Sequence, residues 1–240
     1  RAYLMAKTAK KKKSTRKGKK RESKQRVANR RRLLKLFALL VITSGLYLLY
    51  CFFTLPDIEQ AVSRTRQPST TITAEVATYG QVYSAVVMPD YLPKYTTEAI
   101  IATEDRRFYQ HFGFDIIAFT RAMAVNLIKG RYAQGGSTIT QQVAKNLFLT
   151  PNKNIKRKIQ ELLLAFWLEH KFSKDQIMAL YLNRVYLGAG TYGIEAAANK
   201  YFQKTSADLN LKESAIIAGM LKAPTRYNPI ANPERAESRA

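Results

Sequence analysis

Two carboxylates bracket the stretch of this 240-residue chain that carries most of its chemistry. Glu104 lies in IIATEDRRFYQHFGFD and Glu161 in RKIQELLLAFWLE. Between them GGSTITQQVAKN supplies Thr138, Gln142 and Lys145, and Arg157 stands one helical turn before Glu161. A carboxylate can take a proton from a hydroxyl, and neighbouring cations can offset charge on a departing phosphate. The set therefore suits a transfer in which a sugar hydroxyl is deprotonated while a phosphorylated group leaves.

Each residue also has a plainer reading. On a helix, Glu161 has Leu164, Ala165 and Leu168 at plus three, four and seven, with Ile155, Ile159, Leu162, Leu163 and Phe166 on the other side. That pattern implies a helix apolar nearly all round and a buried carboxylate, which needs a partner or a raised pKa. Arg157 is the evident partner, and a purely structural ion pair would look the same. Glu104-Asp105 alone reads as a solvated helix end, and His111, set among aromatics, as a hydrogen-bonded structural histidine. Thr138 and Gln141 have capping-box spacing. Thr138, Gln142 and Lys145 then form one polar stripe opposite Ile139, Val143 and Leu147. Free helix amides plus a lysine make a phosphate site, yet a capped helix with a solvated face fits equally. The GxxxxGK[ST] spacing of a nucleotide loop is absent. Two histidines and one cysteine, Cys51, offer neither a zinc site nor an internal disulfide.

Helices must position these groups. Pro89 and Pro93 break the chain ahead of a helix expected to start near Thr96 or Thr97. Apolar residues then recur at spacings of three and four over Asp115 to Lys129, Ile155 to His170 and Asp175 to Leu187, and glycines punctuate the intervals. The fold class is mainly α. Only EVATYGQVYSAVV, within a linker and short β segment over residues 56–95, has the composition of strands.

The net charge of +23 belongs mostly to a tail. Of 40 Lys and Arg, 17 fall in residues 1–35 beside one acid, Glu22; the rest of the chain carries 23 against 16 acids. Residues 1–32 lack the apolar side chains for a core and read as a basic cytoplasmic tail held by anionic lipid. No aromatic interleaving or recognition helix supports nucleic acid as a partner. Leu36 to Leu55 is 20 residues without a charge, so a single transmembrane helix is expected over 33–55. Arg30, Arg31, Arg32 and Lys35 before it, and Asp57 and Glu59 after it, place the N-terminus inside and the domain over 96–240 at the outer face of the cytoplasmic membrane.

Five ordered stretches, IIATEDRRFYQHFGFD, GGSTITQQVAKNLF, RKIQELLLAFWLE, DQIMALYLNRVYLGAGTYGIEAAANKYF and ESAIIAGMLKAPTRYNP, resemble the motifs of the peptidoglycan glycosyltransferases, the polymerase module of class A penicillin-binding proteins and of monofunctional transglycosylases. The resemblance covers about residues 90 to 230. It implies a lysozyme-like, mostly α domain that joins lipid II units at the membrane face, with lipid II, the growing glycan strand, membrane lipids and the cell-wall synthesis or division machinery as partners. It needs no organic cofactor and leaves room for a divalent cation, Mg2+ or Mn2+, with no metal ligands assigned. Carried over by motif, Glu104 is the general base and Glu161 the second essential carboxylate. Lys145 and Arg157 offset pyrophosphate charge, while Thr138, Gln142 and Asn146 orient sugars and phosphate. Asp105, Phe108 and His111 shape the first motif, and Asn183, Tyr186 and Pro224 serve structure. Apolar, basic surface between Phe112 and Lys129 would dip into the membrane.

The resemblance also reads the C-terminal end, ERAESRA, as truncated, and EVATYGQVY replaces the family's Asp–Gly turn. The only Ser-x-x-Lys, Ser14 to Lys17, lies in the tail and no Lys-Thr-Gly occurs, so these residues hold no transpeptidase motif. A lysozyme-like glycan hydrolase and a non-catalytic membrane-anchored scaffold are the alternatives.

Overall fold

The computed structural model describes residues 30–56, 87–131, 133–150, 152 and 154–240. The basic tail up to residue 29 and the expected strands within 57–86 lie outside the described residues. The chain divides into two units, residues 1–54 and 55–240.

In the first unit, helix α1 runs Arg30–Phe53, 24 residues with a mean hydropathy of 2.2 in its most apolar window. At 1.5 Å per residue it is about 36 Å long, sufficient by length and composition to cross a bilayer. Its apolar side chains, Phe37, Leu40, Ile42 and Leu49 among them, are exposed. Arg30 to Arg32, expected in the tail, instead form the first turn of this helix, which stops at Phe53 rather than at residue 55.

The second unit is helical among its described residues: α2 Lys94–Glu104, α3 Ile116–Lys129, α4 Ile139–Phe148, α5 Ile155–Lys171, α6 Lys174–Arg184, α7 Ile194–Phe202, α8 Leu211–Met220 and α9 Pro233–Arg239. Pairing between extended segments is limited there to one isolated antiparallel bridge, Tyr186 with Tyr192. Polar side chains start most of the helices. Asp115 accepts from the amides of Ile117 and Ala118, Asn154 from that of Arg157, and Thr138, Ser173 and Asn210 each complete a capping box. Each cap satisfies an amide that the helix itself cannot, at about 1 kcal/mol apiece. The core forms where α4 lies against α5 and α6, and α2 against α8. Ile139, Val143, Leu164, Leu168, Ile177 and Leu182 are fully buried there.

Three expectations need correction. α2 starts at Lys94 after Pro93, because Thr96 is used for a tertiary bond; its Oγ1 lies 2.8 Å from Ser214 Oγ on α8. α5 is not buried all round. Ile155 is 76% exposed and Phe166 half-exposed, while Gln160, Glu161, Leu164, Ala165 and Leu168 form one buried stripe. α6 ends at Arg184, short of Leu187. There Asn183 bonds both backbone groups of Val87, accepting from its N at 2.9 Å and donating to its O at 2.7 Å, and the chain turns extended through Val185.

The return from that turn depends on Gly193, at φ +82° and ψ 156°, a region open essentially to glycine alone. A Cβ there would sit 2.9 Å from the Asn183 carbonyl oxygen. Gly193→Ala is expected to cost roughly 2 kcal/mol or more, a drop of about 4–8 °C in thermal unfolding. An unchanged melting temperature would contradict the strain assigned to this position.

Candidate active site

The first motif is pinned to the helix of the second by a buried carboxylate. α2 ends at Glu104, and Asp105 follows at φ −156°, outside helical geometry. Asp105 Oδ2 accepts from the backbone N–H of Ile139, the first residue of α4, at 3.0 Å. The Nε2 of His111 lies 3.1 and 3.0 Å from the two oxygens of the same carboxylate. An anion is favoured where helix amides are unpaired. Thr138 adds a second fastening, donating to Gly113 O at 2.8 Å while accepting from Gln141 N. Phe108 is fully buried, with Lys174 Nζ 4.4 Å from its ring centroid. Asp105, Phe108 and His111 thus surround the base of the Glu104 turn.

With α4 fixed, its next residues reach the carboxylates. Gln142 donates from Nε2 to Glu104 Oε2 at 2.7 Å. Gln141 Oε1, one residue earlier, lies 3.4 Å from Lys158 Nζ on α5. Lys145 is partly buried, and among the described residues it makes no salt bridge; Asn146 is exposed. The stripe of Thr138, Gln142 and Lys145 is therefore not a solvated face. Thr138 is buried and Gln142 is engaged.

Glu161 is 3% exposed and meets two cations. Arg157 Nη1 donates to Oε2 at 3.2 Å, and Lys158 Nζ forms a close ion pair with Oε1. Lys158 also donates to Ser137 Oγ at 2.9 Å. A buried carboxylate is tolerable because both its oxygens face donors. Lys158 was not singled out from the sequence, although its position three residues before Glu161 on a helix was a usable signal. Arg157, expected to offset substrate charge, is already committed to Glu161. The two carboxylates are joined through neighbouring glutamines of one helix, Glu104 to Gln142 and Gln141 to Lys158 to Glu161.

Buried polar atoms without a hydrogen-bond partner gather in the same segments. Among the described residues they include His111 Nδ1, Arg157 Nε and Tyr181 Oη. Such orphans are uncommon in folded proteins and concentrate at sites built for something other than stability. Chemically, the arrangement offers a partly buried carboxylate held by a neutral amide, beside a second carboxylate flanked by cations. The first suits proton acceptance and the second an anionic neighbour.

The family model described as "Transglycosylase" matches residues 71–240. The chain is 47% identical over 197 residues to penicillin-binding protein 1A of Aquifex aeolicus (strain VF5), covering 80% of this chain and 27% of that protein. It is 41% identical over 213 residues to penicillin-binding protein 1A of Escherichia coli (strain K12), covering 86% and 25%, and 41% identical over 215 residues to that of Vibrio cholerae serotype O1, covering 86% and 26%. The chain spans about a quarter of the length of these curated relatives.

Removing the Asp105 carboxylate would leave the Ile139 amide and a buried imidazole without their acceptor. Asp105→Ala is expected to lower stability by about 3 kcal/mol, roughly 6–12 °C in melting temperature. Unfolding at the wild-type temperature would remove Asp105 from its place as the fastening.

Proposed function

Because this chain belongs to the transglycosylase family, we propose that it is a membrane-anchored peptidoglycan glycosyltransferase that polymerises lipid II with Glu104 as general base. The observation that carries this reading is the bond from Gln142 to Glu104 on the helix that also leads to the cations of Glu161. The 4-hydroxyl of the acceptor GlcNAc gives its proton to Glu104 as its oxygen attacks C1 of the donor MurNAc. The C1–O bond to undecaprenyl pyrophosphate breaks, and the leaving diphosphate takes the electron pair. Attack opposite the α-linked leaving group gives a β-1,4 bond, so the anomeric centre inverts.

Charge grows on the diphosphate as that bond breaks. Lys145 is the cation best placed to be lent to it, having no ion pair among the described residues. Arg157 and Lys158 contribute while remaining tied to Glu161, which fixes their geometry before substrate arrives. Thr138 and Asn146 would help to orient the sugars and phosphate, Thr138 through the start of α4 and Asn146 from its exposed face. Among the described residues no three His, Cys, Asp or Glu side chains gather into a ligand set. The chain's own contribution to neutralisation in this reading comes from Lys145, Arg157 and Lys158.

The membrane part of the proposal rests on two features taken separately. α1 has the length and composition of a span with Arg30, Arg31, Arg32 and Lys35 at its start, favouring a cytoplasmic N-terminus. α3 leaves Ile116, Ile117, Met123, Leu127 and Ile128 exposed, the last at 86%, beside Arg121 and Lys129. An apolar helix face with basic neighbours fits the interface of an anionic bilayer, where a polyprenyl tail would be delivered.

Glu104→Gln is expected to reduce lipid II polymerisation by on the order of a thousandfold with the melting temperature retained. Lys145→Ala should lower kcat by tenfold or more without loss of stability, whereas Arg157→Ala should lower both, because it strips one cation from buried Glu161. A Glu104→Gln protein with full activity would remove the base assignment, and shortened glycan in place of polymer would point to a hydrolase.

A further inference from the structure

Helix α3 contributes one buried side chain, Ala122, and the helix pairs that build the core do not include it. Its placement therefore depends on tethers more than on packing. At its start Asp115 caps the helix and faces Arg107 of the first motif, Oδ2 lying 3.4 Å from Nε. Near its end Asn126 makes three hydrogen bonds to the backbone that leads into α4. Its Oδ1 accepts from the amides of Ala133 and Gln134 at 2.8 and 2.9 Å, and its Nδ2 donates to Gln134 O at 3.0 Å. Asparagine is a poor helix former, so its place here answers to the loop and not to the helix. Two residues beyond Gln134, a Cβ on Gly136 would lie 3.2 Å from Phe119 Cα and 3.4 Å from Ala122 Cβ. This backbone rests directly on α3. The same segment then enters the site, where Ser137 accepts from Lys158 and Thr138 caps the helix that brings Gln142 to Glu104. Leu127 and Ile128, next to Asn126 in sequence, are 77% and 86% exposed, with Arg121 and Lys129 beside them.

We propose that Asn126 is a positioning residue that relays the seating of α3 in lipid to the start of α4, so that contact with a bilayer sets the geometry of the site. The occupant of the α3 face is an anionic bilayer, matching the basic residues among its apolar ones. This rests on the membrane-facing role given to α3 above. Three bonds from one side chain fix both the distance and the direction of residues 133 and 134. Only three residues then separate Gln134 from Thr138. A helix rocked by lipid must carry that backbone with it. A displacement of about 1 Å at a reacting centre costs about a hundredfold in rate, so a small rotation of α3 is enough.

The test is a double-mutant cycle on the full chain, in vesicles of phosphatidylethanolamine and phosphatidylglycerol that contain lipid II, run below the unfolding temperature of every variant. One arm is Asn126→Ala. The other is Leu127→Ser with Ile128→Ser, which removes lipid contact at exposed positions. Each arm is expected to lower kcat about tenfold with KM within about twofold of wild type, and the combined variant to fall no further than either arm. Asn126→Asp keeps an acceptor for both amides and is expected to return kcat to within about threefold of wild type. A purely structural asparagine predicts losses that multiply, to about a hundredfold in the combined variant, and that result overturns the relay. If Asn126→Ala does not fold, Asn126→Ser takes its place in the cycle with the same two outcomes. Wild-type kcat in Asn126→Ala beside a loss in the lipid-face variant rejects the role of Asn126 alone. Wild-type kcat in the lipid-face variant rejects the membrane role of α3 and the relay with it. An unaltered chain that makes no polymer rejects the proposed activity itself.

Discussion

Everything around the candidate site depends on the hydrogen bond from the Ile139 amide to Asp105. It joins the residue after α2 to the first residue of α4, two elements separated by more than thirty positions in sequence. Without it, Glu104 would end a helix exposed to water, and Gln142 would have no fixed carboxylate to meet. The bond is strong for a simple reason. An ionised carboxylate at a helix N-terminus, away from solvent, combines a charged hydrogen bond with the favourable end of the helix dipole. His111 occupies the remaining acceptor capacity, and the Thr138 hydroxyl, reaching Gly113, keeps the loop from pivoting about a single point.

From that fastening the site is built in a chain of one-residue steps. Consecutive glutamines on α4 diverge by about a hundred degrees, so Gln142 turns to Glu104 while Gln141 turns to α5 and Lys158. On α5, Arg157 and Lys158 precede Glu161 by four and three residues, the spacings that bring helix side chains together. Glu161 could not be buried alone. Two cations make its burial tolerable, and its negative charge in turn holds them still. Cations already held by a buried carboxylate are better prepared for an anion than free surface lysines would be, because part of their ordering precedes binding.

Much of this was legible in sequence because it is local. Capping at Thr138 follows from its capping-box spacing with Gln141, and α3 and α5 lie within a residue or so of where the periodicity sets them. The Arg157–Glu161 pair is a helical i,i+4 spacing and could be read directly. What could not be read is tertiary. Thr96 has the look of a cap but bonds Ser214 across the core, which moves the start of α2. Asn183 ends α6 early because its amide is claimed by the Val87 backbone, 96 residues away. Lys158 was overlooked for a different reason: Arg157 at the i,i+4 spacing already gave the buried Glu161 a partner, and the i,i+3 position of Lys158 was not taken up. Tyr181 was invisible as anything but core, since an unmatched hydroxyl is a property of its surroundings and not of its spacing.

The central claim is that one groove beside α4 and α5 receives an acceptor hydroxyl at Glu104 and a donor diphosphate at the cations. A crystal structure of the full chain with a non-reactive lipid II analogue tests it most directly. The account expects the acceptor 4-hydroxyl within hydrogen-bond distance of Glu104 and phosphate oxygens against Lys145 and the start of α5. Diphosphate bound on another face, or an acceptor sugar out of reach of Glu104, would contradict it.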